Sequence, residues 1–308
     1  MTGVRIKFAR GGAVLAAALF VSPAAAQDAP LVLAPSSEWH LDYADDSCRL
    51  ARQFGAGENK TLFYIERYEP GDEFFLLVAG TQFEGRASAK DAARFGPDGF
   101  EYVGYLAEGE FGEYKPALLL NGLQLLPGDP AVVKRRVDNR SEAEPVNPDI
   151  FGQEASAAAE NRISWFEIDR RNSPTVRLEL GPMGAPLAAM RKCTDELLTH
   201  WGLDLEAHRG LTRAAFPRGN VGAWVTDDDY PDNLIRKGEQ GIVQFRLSVA
   251  ADGKPNACHI QRSTRPEGFD TAVCQALMRR ARFEPALGAE GQPIASYWRN
   301  TVRFEMPD

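Results

Sequence analysis

Gly241-Ile-Val-Gln-Phe-Arg-Leu-Ser-Val249 is the stretch that decides the fold of the C-terminal end of this chain. Val243, Phe245, Leu247 and Val249 alternate with Gln244, Arg246 and Ser248, the period of a strand with one apolar face. Ala251-Asp252-Gly253-Lys254 reads as a turn, because Asp-Gly supplies the positive φ that a tight hairpin demands. A second strand runs through Ile260 and puts Cys258 and Ile260 on one side. A helix is predicted from about Phe269 to Arg282, with Val273, Cys274, Leu277 and Ala281 on one face. Asp270 suits its start, where a carboxylate accepts from free N–H groups. The run Arg282-Phe283-Glu284-Pro285-Ala286 follows, and a final strand ends at Phe304. The expected unit is α+β, one helix on a three-stranded antiparallel sheet.

Working outward, the N-terminus reads as an export signal. Arg5, Lys7 and Arg10 precede an apolar run from Gly11 to Val21, and Ser22-Pro23-Ala24-Ala25-Ala26 supplies a small-residue cleavage site before Gln27. The run is shorter than the roughly 18–20 residues of a membrane span. Cleavage is the expectation, and an uncleaved anchor the alternative. The 308 residues carry 35 Lys and Arg against 43 Asp and Glu, a formal net charge of −8. The acidic surplus lies between residues 27 and 229, which argues against nucleic acid and anionic membrane surfaces as partners. Four segments follow, two of them domains: a signal at 1–26, a β-rich periplasmic domain at 27–215, a linker at 216–229 rich in Gly, Pro and Asp, and a small domain at 230–308.

Cys48, Cys193, Cys258 and Cys274 suggest two disulfides in an exported chain. Three pairings are open. One cysteine pair in each proposed domain makes Cys48–Cys193 and Cys258–Cys274 the natural choice, with two buried free thiols as the alternative for the second pair.

In the body, Thr61 to Ile65 and Phe74 to Ala79 are β-rich runs around the turn signal Glu69-Pro70-Gly71-Asp72. Ile163 to Ile168 and Val176 to Leu180 form a second pair. Ala185 to Trp201 reads as a helix ending at Gly202. Residues 141–159, acidic and Ala-rich, read as a loop. Asp42, Asp45 and Asp46 lack the EF-hand pattern and read as a solvated turn. The four histidines show no metal-ligand spacing, and no nucleophile, phosphate-loop or dinucleotide motif is present, so no catalytic residue, metal or cofactor is assigned.

The C-terminal motifs, taken in order, resemble the C-terminal domain of TonB-type energy transducers over residues of about 225–306. Tyr230-Pro231 precedes a short helix at Leu234-Ile235-Arg236; Gly241 opens the first strand; Asp252-Gly253 makes the turn; Ser263 ends the second strand. Phe269-Asp270 opens the helix, Arg282, Phe283, Pro285 and Ala286 follow it, and Gly291 and Pro293 precede the last strand. Each of these residues also has a plain role in packing or backbone geometry.

The resemblance implies a periplasmic binding module whose last strand, at a sheet edge, pairs with a short segment of an outer-membrane receptor or similar envelope protein. The physics is β-augmentation, in which an edge with unpaired N–H and C=O groups accepts a new strand. Here that edge carries Tyr297, Arg299, Thr301 and Arg303. By parity, Trp298, Asn300, Val302 and Phe304 are expected under the helix and the arginine face is expected open. A transducer proper also has an uncleaved anchor and a long Pro-rich linker, and this chain has no visible counterpart. The alternatives are a membrane-anchored transducer and a periplasmic enzyme with the module as an accessory.

Overall fold

The computed structural model describes residues 29–85, 87–126, 157–171, 173–264 and 266–306. The expected export signal, 1–26, lies outside them. The body begins with β1 (Leu31–Leu33), β2 (His40–Tyr43), β3 (Cys48–Phe54), β4 (Thr61–Arg67), β5 (Phe74–Ala79), β6 (Ala92–Gly96), β7 (Glu101–Val103), β8 (Ala107–Phe111) and β9 (Tyr114–Leu123). It continues through α1 (Ala157–Arg162), β10 (Trp165–Asp169), β11 (Val176–Glu179), α2 (Gly184–His200) and α3 (Leu205–Arg209).

These strands form two sheets. A six-stranded antiparallel sheet runs β2-β3-β4-β5-β9-β8, and a five-stranded one runs β1-β11-β10-β6-β7 with β1 parallel to β11. Alternation along β3 and β4 sends Leu50, Phe54, Phe63 and Ile65 to the same side, where they meet Phe95, Phe166 and Leu178 of the second sheet. Leu187, Met190 and Leu197, at helical spacing along α2, complete this core. The β4–β5 and β10–β11 pairs expected from sequence are both present. The expected α+β architecture holds, with a β-rich body that ends in a helix. Ala157 to Ala159 start a helix instead of ending a loop: Glu160 of that helix is buried in a two-point ion pair with Arg191, which anchors α1 to α2.

The chain then passes through β12 (Phe216–Pro217) and α4 (Asp232–Ile235) into β13 (Gly241–Val249), β14 (Pro255–Ser263) and α5 (Gly268–Arg280). Short pieces β15 (Phe283–Glu284), β16 (Ala286–Leu287) and β17 (Pro293–Ile294) lead to β18 (Ser296–Phe304). The sheet order is β14-β13-β18, all antiparallel, and Val243, Phe245, Leu247 and Val249 pack with Phe269, Val273 and Leu277 of α5. Both expected disulfides are formed. Cys258–Cys274 joins β14 to α5 with Cα atoms 5.6 Å apart, and Cys48–Cys193 joins β3 to α2 at 6.0 Å.

The stretch 216–229, expected as a linker, lies against this module. β12 pairs with β15, Trp224 is 4 % exposed between Phe283 and Trp298, and Asp229 forms ion pairs with Arg279 and Arg280. Hydrogen bonds from Arg280 outweigh burial and hold the Asp229 carboxyl below the usual range. The reason is local: an aromatic residue and a carboxylate in a Gly- and Pro-bearing segment find an apolar cluster and a basic helix end within reach.

Candidate functional site: the outer edge of the C-terminal sheet

The family-motif residues cluster around the joints of the module. At the hairpin, Gly253 has φ +79°, and a Cβ there would stand 2.1 Å from the Phe283 carbonyl oxygen, so the turn and the run after the helix need each other. The Phe283 N–H donates to the Gly253 carbonyl at 2.9 Å, and the Phe283 ring and the Ala286 methyl group are buried in the same core. Arg282 donates to the Ala281 carbonyl, and the Pro285 carbonyl accepts from Arg213. Gly241 is close-packed as well: a Cβ there would lie 2.6 Å from the Phe269 ring. Tyr230 packs edge-on to Phe269 and Phe304 beside Pro231, and its hydroxyl donates to the Glu239 carbonyl. Asp270 does not cap N–H groups as expected. It accepts from the Ser263 hydroxyl at 2.5 Å, and so ties the end of β14 to the start of α5. Asp252 accepts from the Lys254 N–H across the turn.

β18 lies at the sheet edge, paired along its length with β13. Which of its backbone groups point outward follows from the register. Thr264 N–H donates to the Ile242 carbonyl, so Ile242 turns its backbone towards β14, and Val243, Phe245 and Leu247 turn theirs towards β18. Their partners Val302, Asn300 and Trp298 are bonded inward, which leaves the N–H and C=O groups of Tyr297, Arg299, Thr301 and Arg303 pointing away from the sheet. Among the described residues no strand pairs on that side. The Thr301 N–H is held by the side-chain oxygen of Asn300 at 2.8 Å, as an outward donor would be.

The side chains divide as expected on one face and differently on the other. Trp298, Val302 and Phe304 pack with the α5 core, while Asn300 is exposed. The arginine face is not open along its length. The body covers it at the Ser296 end. Tyr297 is 6 % exposed, its ring 5.2 Å from Trp201 and stacked on His208. Burial, with Glu69 next to it, pushes the Tyr297 phenol well above its ordinary value. Arg299 reaches Glu69 of the β4–β5 turn at 2.6 Å and Gln261 of β14 at 2.6 Å, and lies over the Tyr68 ring. Thr301 and Arg303 are exposed, and Arg303 pairs with Glu305.

Behind this strand, Arg246 of β13 is buried at the seam between body and module. Its guanidinium meets Asp46 at 2.9 Å and sits over the Trp201 ring at 4.0 Å. Asp46, read from sequence as part of a solvated turn, is thus a docking residue, and its carbonyl also accepts from Gln261. Arg262 lies over Phe75 of β5. His208 donates from Nδ1 to the Asp204 carbonyl, which leaves Nε2 to accept from the Ser296 hydroxyl. Asp46, Glu69, Trp201 and His208 carry no motif, and their roles appear only where distant segments meet.

This geometry defines a small α+β module whose last strand lies at a sheet edge, mounted on a disulfide-bonded β-rich body. Residues 227–306 match the family described as Gram-negative bacterial TonB protein C-terminal, a non-enzymatic transport and interaction domain whose members interact with envelope proteins. The match leaves the body unassigned. No curated protein matches the chain. No helix among the described residues is long and apolar enough to cross a membrane.

Proposed function

We propose that this protein is an exported periplasmic binding protein, whose C-terminal module takes an extended segment of an envelope partner as a new strand on the outer edge of β18. An outer-membrane receptor segment of the TonB-box kind is the occupant the family match favours. The observation that carries the reading is the row of outward backbone groups at Arg299, Thr301 and Arg303 with no strand beside it among the described residues. Two disulfides support an oxidising compartment. The reading is of binding and not of catalysis.

The test is photo-crosslinking in the native cell. A photoreactive residue at Asn300 yields a partner adduct, identified by mass spectrometry. Thr301→Pro removes an N–H that faces away from β13, so the sheet keeps its ladder while an added strand loses its central donor. Loss of the adduct with an unchanged fold supports strand addition; an undiminished adduct overturns it. The intact mass of the extracted protein decides export separately, since cleavage leaves Gln27 as the first residue.

A further inference from the structure

We infer that the body acts as a stop at one end of the β18 edge, so that strand addition is confined to Arg299–Arg303 and the site takes an extended segment of about five residues. The inference rests on the strand-addition reading and gives the body, which no family match covers, a role in it.

Outward backbone groups alternate along β18 at Tyr297, Arg299, Thr301 and Arg303, but they are not equally reachable. Ser296 is 2 % exposed and Tyr297 6 %, so almost nothing of either residue, backbone included, meets solvent. Trp201, at the end of α2, and His208, in α3, close this end: Trp201 sits against the Tyr297 ring, and His208 bonds the Ser296 hydroxyl. The seam is held by Arg246–Asp46 and Arg299–Glu69, both charge-assisted and short. At the other end, Phe304 is buried beside Tyr230. Between the two closures, Arg299 is half-buried and Asn300, Thr301 and Arg303 are open.

Three residues with both backbone groups outward offer up to about six main-chain bonds to an added strand. The occupant must present free N–H groups opposite Arg299, Thr301 and Arg303, so proline is excluded at those positions. It must also end or turn away where it meets Trp201. The Asn300 side chain leaves the Thr301 N–H when the segment arrives.

The test uses the full exported chain and a phage-displayed random peptide library. Selected peptides are trimmed and lengthened, and amide exchange is followed residue by residue. Affinity is expected to rise about fivefold for each main-chain bond gained up to about five residues, then to stay level. Exchange slows at Arg299, Thr301 and Arg303, and the amides of residues 201–208 keep their protection. Trp201→Ala lets longer peptides gain further. Should that variant fail to fold, the length series and the exchange pattern of the unaltered protein still decide. Affinity that keeps rising with length in the unaltered protein, or exchange that quickens over 201–208 as the body is pushed off, overturns the stop while leaving strand addition standing. Peptides that slow no β18 amide overturn both.

Discussion

Arg246 and Asp46 lie 200 positions apart in the chain, and their side chains meet at 2.9 Å across the seam between module and body. The guanidinium is 3 % exposed and rests on Trp201, so it depends on Asp46 for its counter-charge. Burial pulls the Arg246 pKa down and Asp46 opposes the change. Asp46→Ala is expected to cost about 2–3 kcal/mol of unfolding free energy, less than for a fully buried pair because Asp46 keeps 21 % of its surface. Paired Asp46→Leu and Arg246→Met substitutions should cost much less than Asp46→Ala alone. Urea unfolding of the three proteins checks this, and equal losses would deny the ion pair any part in docking.

Proline distinguishes the two sides of β18. At Val302 it removes an N–H that belongs to the ladder with Val243, so Val302→Pro should lose about 2 kcal/mol or more. Thr301→Pro, one residue earlier, should leave the melting temperature nearly unchanged. A reversed order would show that the backbone register has been assigned to the wrong set of residues.

Gly253→Ala forces a Cβ to within 2.1 Å of a backbone oxygen at a positive φ. The hairpin and the Phe283 segment would have to separate, at a cost of about 2 kcal/mol or more. Thermal unfolding reads the loss. Gly291→Ala is the control, with a similar φ of +78° but open space around it, and should cost less.

Each disulfide should stabilise its own half. Cys258–Cys274 closes a loop with a separation of 16, for which chain entropy gives about 3 kcal/mol. Cys48–Cys193 spans 145 positions and gives about 4–5 kcal/mol. Cys258→Ser with Cys274→Ser should lower the unfolding midpoint of the module, read by the fluorescence of Trp224 and Trp298 in that core, and full reduction should lower both halves.

Acid should loosen the seam. Burial lowers the His208 pKa below its ordinary 6.5, against the pull of Asp204. Burial and Arg246 lower that of His259, against Asp46. A depressed folded pKa means the unfolded chain takes up the proton first. Stability is therefore fully present above about pH 6.5 and declines as pH falls below it. Urea midpoints at about pH 8 and about pH 5 measure the decline, and His208→Gln should flatten it. An unchanged slope in that variant would remove His208 from the account.

Much of the module was legible because its signals are local. Alternation in β13, the Asp252-Gly253 turn and the helical face of Val273 and Leu277 each act within a few residues, and the ordered motifs added the sheet edge. Asp270 was misread because a carboxylate at a helix start has two uses there, capping and a bond to Ser263, and spacing along the chain does not rank them. The open arginine face was misread for a different reason: parity says which side chains share a face, not what covers it.

The chain by itself pointed to the β4–β5 and β10–β11 pairs, the strands and turn of the module, the helices α2 and α5, and a natural choice of cysteine pairs, since each follows from periodicity, backbone preference or the grouping of residues within a domain. Tertiary structure alone decided that the 216–229 segment lies on the module, that Asp46 and Glu69 meet Arg246 and Arg299, and that Trp201 and His208 close the Ser296 end of β18. Those contacts join residues up to 230 positions apart. A charge or a ring carries no mark of its partner until folding brings the two surfaces together, and so the reachable length of the edge was set by the body and not by the strand itself.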